Sequence, residues 1–461
     1  MREFSGYHSE WNLGSPGGWD YQRITQTISK SVWAEIEKAS PSGVEIDFDH
    51  PALYPVYGFV EMLLETHRTR EGSNGGLIAV IAEEETLDDV AENRNLAAHL
   101  NRIEGISGVL AAPHELEIAE GRVCWRGSPV STVFMDFNTD VLLNLHRKQG
   151  LEAVLQAVRE GRVINPRGTE PINVKSMYEL ITGDRRALFH REIVERTPWT
   201  RRFYPRGTEG PDGQDIRDLV EWTSVNWEQL VLKPERGYSG HGVRVGGINS
   251  GAEEAVSLAL QEGDYIVQEK IPLGIWAERI PVLDQGVITI QEFQTDFRCM
   301  TGPRGLFGFL GRIGGVPTNV GSGGGMQPLA VLRSEMPMQE AVARINESVL
   351  AAGAEAVGNA LEMQRKMAGE FEFTYLLGTI PIALRPRLLT DVQIEALENY
   401  CRQLWFDCLV LEELWLSREI DDFVNIEEEE LEICRTNPWQ GSPAIIASDG
   451  LFGFGANAPP E

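Results

Sequence analysis

The chain of 461 residues carries 69 aspartates and glutamates against 41 lysines and arginines, a formal net charge of −28 at pH 7. Such an acidic excess repels a phosphate backbone and excludes a duplex-binding protein, so no nucleic-acid partner is expected. The length exceeds what one compact core organises and predicts two or three packed units, while no apolar run approaches the roughly 18 residues of a bilayer-spanning helix, so no membrane partner is expected.

The opening MREFSGYHSEW lacks the apolar stretch of a secretory signal, and the five cysteines are scattered without paired spacing. Both features predict a cytoplasmic protein with reduced thiols. In YHSEWNLGSPGGW (7–19) a strand is expected to end where the glycines start. The two-residue period of a strand puts the Glu10 carboxylate and the Asn12 amide on one side, a donor pair suited to Mg²⁺. Taken alone, the pair reads as a surface strand end.

From about residue 57 the pattern alternates. GFVEMLLETHRTR (58–70) is helical, GLIAVIA (76–82) is a buried strand, and TLDDVAENRNLAAHLNRI (86–103) is helical with Thr86 as N-cap. Strands follow at 108–112 and 131–137, with a hairpin over 114–127 turning at Glu120-Gly121. This order predicts a Rossmann-like α/β unit. No GxGxxG follows the first strand, so dinucleotide binding is disfavoured.

In LVLKPERGYSGHGVRVG (230–246) a strand delivers Lys233 into a loop containing Gly237, Tyr238, Ser239, Gly240 and Gly242 before a second strand. Glycines let backbone N–H groups approach an anion, and the lysine supplies a point charge to phosphates. DYIVQEKIPL (264–273) is a short strand whose end, Gln268, Glu269, Lys270 and Ile271, can meet an adenine edge with backbone N–H and C=O. In FQTDFRCMTGPRGLFGFLGRIGGVPTNVGSGGG (293–325), Asp296 and Arg298 share a strand face; after a turn at Gly302-Pro303 the return strand carries Arg312, then Asn319 and a Gly/Ser run. Cationic clamps beside metal-binding oxygens are what phosphoryl transfer needs. The chain then becomes helical over 338–368 and 391–416, and IEEEELE (426–432) reads as a solvated acidic face.

Lysine and glycine loop, Gln-Glu hinge, Asp-x-Arg, second Arg, then Asn before glycines is an order that resembles the ATP-grasp superfamily, and most of all its circularly permuted members related to glutathionylspermidine synthetase-like ligases. The motifs that carry this likeness lie within 165–330. The resemblance implies an α/β (α+β) fold: an ATP-grasp catalytic core with a Rossmann-like pre-domain, circularly permuted so that the Glu-x-Asn strand is N-terminal and the two termini lie close together. The implied units are 1–56, completing the metal site; 57–165, the pre-domain; 166–330, the nucleotide-binding subdomains; and 331–461, a helical segment and closing strand.

The same resemblance implies ATP and Mg²⁺ (two ions) as cofactors. Lys175, at a helix start, and Lys233 would bind phosphates, and Glu10 and Asn12 would hold metal with Asp296 or Asp449. Arg298, Arg312 and Asn319 would act in catalysis. The implied activity is amide or peptide bond formation from small-molecule carboxylate and amine substrates, amino acid or peptide-like, through an acyl phosphate, in a possible homodimer. A kinase-like phosphotransferase and a non-catalytic nucleotide-binding protein remain alternatives. His8, His241, Trp11, Trp19, Tyr238 and Trp276 lie near these segments and are expected mainly to pack.

Overall fold

A computed structural model describes residues 5–71, 76–237, 240–271, 277–315, 318–375 and 377–453. The first strand, β1 (Ser5–Asn12), stops at the LGSPGG run as expected. Gly18 there has φ 98°, a left-handed value that favours glycine, and a Cβ would press on Leu310. Helix α1 (Tyr21–Ala39) follows, burying Ile24, Ile28, Val32 and Ile36 at four-residue spacing.

Next come α2 (Pro55–Glu71), β2 (Leu77–Ile81), α3 (Ala91–Leu100) and β3 (Gly108–Ala111). A hairpin of β4 (Leu116–Ala119) and β5 (Arg122–Trp125) leads to β6 (Ser128–Met135), α4 (Thr139–Gln149), α5 (Glu152–Arg159) and β7 (Val163–Ile164). The hairpin turns at Glu120 (φ 52°) and Gly121 (φ 77°), the paired left-handed residues a two-residue turn requires. Strands β3, β2, β6 and β7 run parallel in that order, with β5 and β4 extending the sheet beyond β6. All five residues of β2 are buried, as a strand covered on both faces demands. The expected helix over 86–103 is shorter: Glu84–Thr86 form a 3₁₀ turn, the Thr86 hydroxyl donates to the Glu83 carbonyl, and extended Val90 starts the helix instead. The later start suits a tertiary demand, because Glu92 accepts hydrogen bonds from the backbone of Gly18 and Asp20.

Helix α6 (Met177–Thr182) begins just after Lys175. A second sheet contains β8 (Thr200–Arg202), β9 (Leu230–Pro234), β10 (Arg244–Val245) and β11 (Tyr265–Glu269), all antiparallel in the order β10-β9-β11-β8. The helices at Leu219–Val225 and Ala252–Glu262 share an apolar core with it.

The third sheet holds β12 (Glu278–Asp284), β13 (Val287–Gly302), β14 (Gly305–Gly314), β15 (Gly325–Gln327) and, near the other end of the chain, β16 (Ile446–Gly453). Its order is β1-β16-β13-β14-β15, with β12 also on β13. Helix α7 (Met338–Glu370), interrupted at Gly353 (φ 80°), shares a core with α1, and α8 (Asp391–Leu416) buries Phe297, Cys299 and Phe309 from the sheet. β1 and β16 pair antiparallel, Ser5 opposite Gly453 and Glu10 opposite Asp449, so the described chain ends side by side. All five cysteines are free and buried, and among the described residues no helix is long and apolar enough to cross a membrane.

Candidate functional site

The third sheet supplies the floor. Because side chains alternate, Phe297 and Cys299 enter the core while Asp296 and Arg298 share the opposite face. On that face Arg312 stands opposite Asp296, and Asp449 lies between Glu10 and Arg298 on its two neighbouring strands. Arg312 reaches Asp296 at 2.8 Å and Asp449 at 3.1 Å. Arg298 makes a two-pronged pair with Asp449, one contact at 2.6 Å, and donates to the Gly17 carbonyl at 2.7 Å. Burial opposes charge on Asp449, but the two guanidiniums outweigh it and hold its carboxyl below the ordinary carboxylate range. Asp296 goes the other way: burial raises its pKa and Arg312 offsets only part.

Lysines and glycines from the second sheet and from the segment before α6 form the roof. Lys175 Nζ donates to the Gly237 carbonyl at 2.9 Å and lies 3.6 Å from Glu10. Lys233 Nζ donates to Gln268 Oε1 at 2.8 Å, and Gln268 in turn donates to the Thr200 hydroxyl at 2.9 Å. Burial lowers Lys233 from 10.5 to about 8, with Glu10 opposing and Lys175 adding to the fall. Between floor and roof lies a cavity of about 200 Å³. Glu10, Asp296, Arg312, Asn319 and Asp449 line it from below, and Lys175, Lys233, Gly237 and Gly240 from the roof side. Gln268, Glu269, Lys270 and Ile271 line the hinge.

Several expected roles change. Gly242 (φ 71°) packs against Pro234 and the Tyr265 hydroxyl instead of lining the cavity. The backbone amides of Glu269 and Lys270 donate to the carbonyls of Trp199 and Gln229, so they are spent within the protein. Lys270 Nζ donates to the Gly246 carbonyl at 2.8 Å. Asn319 Oδ1 accepts from the Gly321 amide at 2.8 Å and so caps a turn. Tyr238, Ser239 and Trp276 lie outside the described residues. His8, Trp11 and Trp19 are core. His8 bridges Tyr400 (2.7 Å) and Thr197 (2.8 Å), and burial, then Arg196 and Lys233, push its pKa to about 3, keeping it neutral.

Arg236, Gln294 and Thr318 also line the cavity and were not singled out in the sequence. Arg236, paired with Glu430 at 2.6 and 2.9 Å, carried the clearest signal, a cation wedged between Lys233 and Gly237. Among the described residues no group of three or more His, Cys, Asp or Glu is placed to hold a metal. Glu10, Asp449 and Asn12 form a smaller set of two carboxylates and an amide. The Asn12 amide nitrogen is buried without a partner, but it is a donor that cannot ligate a cation, so only the amide oxygen counts toward a metal site. This donor set fits Mg²⁺, which takes a few carboxylates plus substrate phosphates and water rather than a full protein cage.

Asn12 and Arg298 open onto a second cavity, of about 380 Å³, which meets the first at Glu10, Arg312 and Asn319. Glu92 lines it, its carboxylate accepting from the Gly18 amide at 2.8 Å and the Asp20 amide at 3.2 Å. Burial lifts this carboxyl from 4.5 to about 8, with Asp136 adding to the rise. Folding therefore takes up a proton: the stability this confers is fully present below about pH 4.5 and is lost as pH rises through about 8. Glu92→Gln, which cannot ionise, is expected to raise the melting temperature by several degrees at about pH 9 and leave it nearly unchanged at about pH 4 in paired thermal melts.

No protein-family model and no curated protein matches the chain. Among solved structures, it is similar to a RimK domain ATP-grasp protein from Sphaerobacter thermophilus DSM 20745, at 17% identity and TM-score 0.27, over 50% of this chain and 71% of that one. It is also similar to the D-cycloserine synthetase DcsG, at 14% identity and TM-score 0.30, over 61% and 82%. A third is the macrocyclase MdnC bound with precursor peptide MdnA from Microcystis aeruginosa MRC, at 10% identity and TM-score 0.31, over 63% and 83%.

Proposed function

We propose that the protein is an ATP-dependent carboxylate–amine ligase built as a circularly permuted ATP-grasp enzyme, with the parallel-sheet unit as its pre-domain. The observation that carries this reading is one face of one sheet presenting Glu10, Asp449, Asp296, Arg298 and Arg312 beneath Lys175, Lys233 and the loop around Gly237. Acids that suit a cation, an arginine that suits a transferring phosphoryl group and lysines that suit a polyphosphate thus converge on one cavity, with Arg298 on the same sheet face opening onto the second.

ATP would lie with its base at Glu269 and Ile271 and its phosphates between Lys175 and Lys233. Glu10, Asn12 and Asp449 would hold Mg²⁺, which supplies charge neutralisation of the phosphate oxygens. A substrate carboxylate oxygen attacks the γ-phosphorus, the bond to the β-phosphate oxygen breaks, and ADP leaves an acyl phosphate. A neutral amine then adds to the acyl carbon. Collapse expels phosphate, which takes up the amine's surplus proton, so the sum is amide, ADP and hydrogen phosphate. Arg298 and Arg312 would exchange part of their hold on Asp449 and Asp296 for the oxyanion and the phosphoryl oxygens.

Magnesium-dependent ATP turnover against pooled amino acids, small carboxylates and polyamines, resolved by mass, tests the reading. The expected product is lighter by one water than its summed substrates, with ADP released. A substrate that gains a phosphoryl mass, with or without amine, would move the protein to the phosphotransferases. Absence of nucleotide binding would sink the ATP-grasp reading itself.

A further inference from the structure

The parallel sheet has no part in the nucleotide cavity, yet its edge builds the second one. Asp136 follows the carboxyl end of β6 directly, Glu83 lies two residues beyond β2, and these strands are neighbours with Ile81 opposite Met135. Both side chains line the second cavity. In open α/β sheets the crevice outside the carboxyl strand ends is where ligands bind.

The cavity's two cations lie on the third sheet and three of its acids on the parallel-sheet unit. Where it meets the nucleotide cavity it has Arg298 and Arg312 beside Glu10; at the strand ends it has Glu83 and Asp136, and Glu92 also lines it. Arg312 is 5% exposed, and its Nε is buried without a partner. Asp136 has one oxygen held by Asn93 at 2.6 Å. Burial, with Glu83 adding, raises the Asp136 carboxyl to about 6 despite that bond, and among the described residues no cation offsets the rise. Leu310, Phe137 and Val141 supply apolar wall. A purely hydrocarbon acid would leave Glu83 and Asp136 facing it unpaired, which is costly.

We infer that the second cavity binds the carboxylate substrate, and that this substrate carries a cationic nitrogen at its far end. Its carboxylate lies at Arg298 and Arg312, beside the γ-phosphate position, and its ammonium or guanidinium group lies at Asp136 and Glu83. The assignment of the carboxylate as the activated group rests on the ligase reading; the bipolar binding does not. An acid with its cation several bonds from the carboxylate fits better than one with both on a single carbon, because the arginines and the strand-end acids belong to different sheets.

The test pairs amino acids with their deaminated counterparts: 4-aminobutyrate and lysine against butyrate and hexanoate. Binding is measured calorimetrically without nucleotide, on the full chain and on Asp136→Asn. The amino-bearing acids are expected to bind roughly 10- to 100-fold more tightly than their counterparts, and Asp136→Asn to remove most of that margin while leaving ATP affinity unchanged. Equal binding of both kinds of acid, a margin untouched by Asp136→Asn, or no binding of either would each overturn the inference. ADP release in the presence of any acid and amine is scored separately. If binding follows the charge pattern but no ADP appears, the ligase reading fails and the binding site stands; if ADP appears with hydrocarbon acids, the reverse holds.

Discussion

Arg312→Lys will reduce ATP turnover by about 10²- to 10³-fold while the protein stays folded. Among the described residues Arg312 is the one guanidinium lining both cavities, and it bridges Asp296 and Asp449 from two different strands. A lysine keeps the positive charge but replaces a planar fork of donors with a point charge, so it cannot hold two carboxylates and also meet phosphoryl oxygens in fixed directions. Arg312→Ala is a harsher change. Asp296 would face the cavity floor with its main counter-charge gone, and the variant should lose about 3–5 kcal/mol of stability as well as turnover. Phosphate release, read alongside a thermal melt and ATP-dependent protection, separates the two effects. A lysine variant turning over within two-fold of the parent would remove Arg312 from the reaction.

The second large effect concerns Arg167, which lines neither of the two cavities. It is 0% exposed and pairs with Glu170 at 2.7 Å. It also donates to the carbonyls of Asn165 (3.0 Å), Phe137 (3.3 Å) and Gly14 (3.2 Å). One side chain thus ties the segment after β1, the end of the parallel sheet and the turn before α6. Glu170 accepts from the Thr139 amide at 2.9 Å and hydroxyl at 2.8 Å. Arg167→Met keeps the side-chain length but strands a buried carboxylate and three carbonyls, and is expected to destabilise by about 3–5 kcal/mol. The urea midpoint measures it. Adding Glu170→Gln should return part of the loss, because the buried charge disappears with its partner's need. If the double variant is as unstable as the sum of the singles, the pair is not the source of the cost.

Much of the second and third sheets was legible because their motifs are local. Asp296, Arg298 and Arg312 lie on one hairpin, where the strand period and the turn at Gly302 fix which side chains share a face. Lys233 and its glycines were likewise visible within one short stretch. Asp449 was legible only through the family likeness: Asp-Gly by itself reads as a turn, and pairing with a strand some 440 residues away puts it in mid-strand opposite Glu10. That the amides of Glu269 and Lys270 are taken up within the protein was hidden for the same reason, since Trp199 and Gln229 claim them through contacts no local pattern announces. Glu83 and Asp136 escaped notice because their meeting depends on which parallel strands are neighbours. Helix α1 is different, for its four-residue spacing of isoleucines and valine was readable and was not singled out.

The pairing of β1 with β16 also bears on how the chain is made. Ser9 and Asp449 are 440 residues apart, which at about 5–20 residues per second is roughly 20–90 s of synthesis. For that interval β1 exists without the strand that covers its edge, and the lysine loop and both arginines emerge before that strand does. A nascent chain halted before residue 446 would have Lys175, Lys233 and Arg312 but not Asp449, and so would leave Glu10 without the acid it faces in the finished sheet. Translation thus delivers the floor of the cavity in an order that leaves its acidic pair for the end.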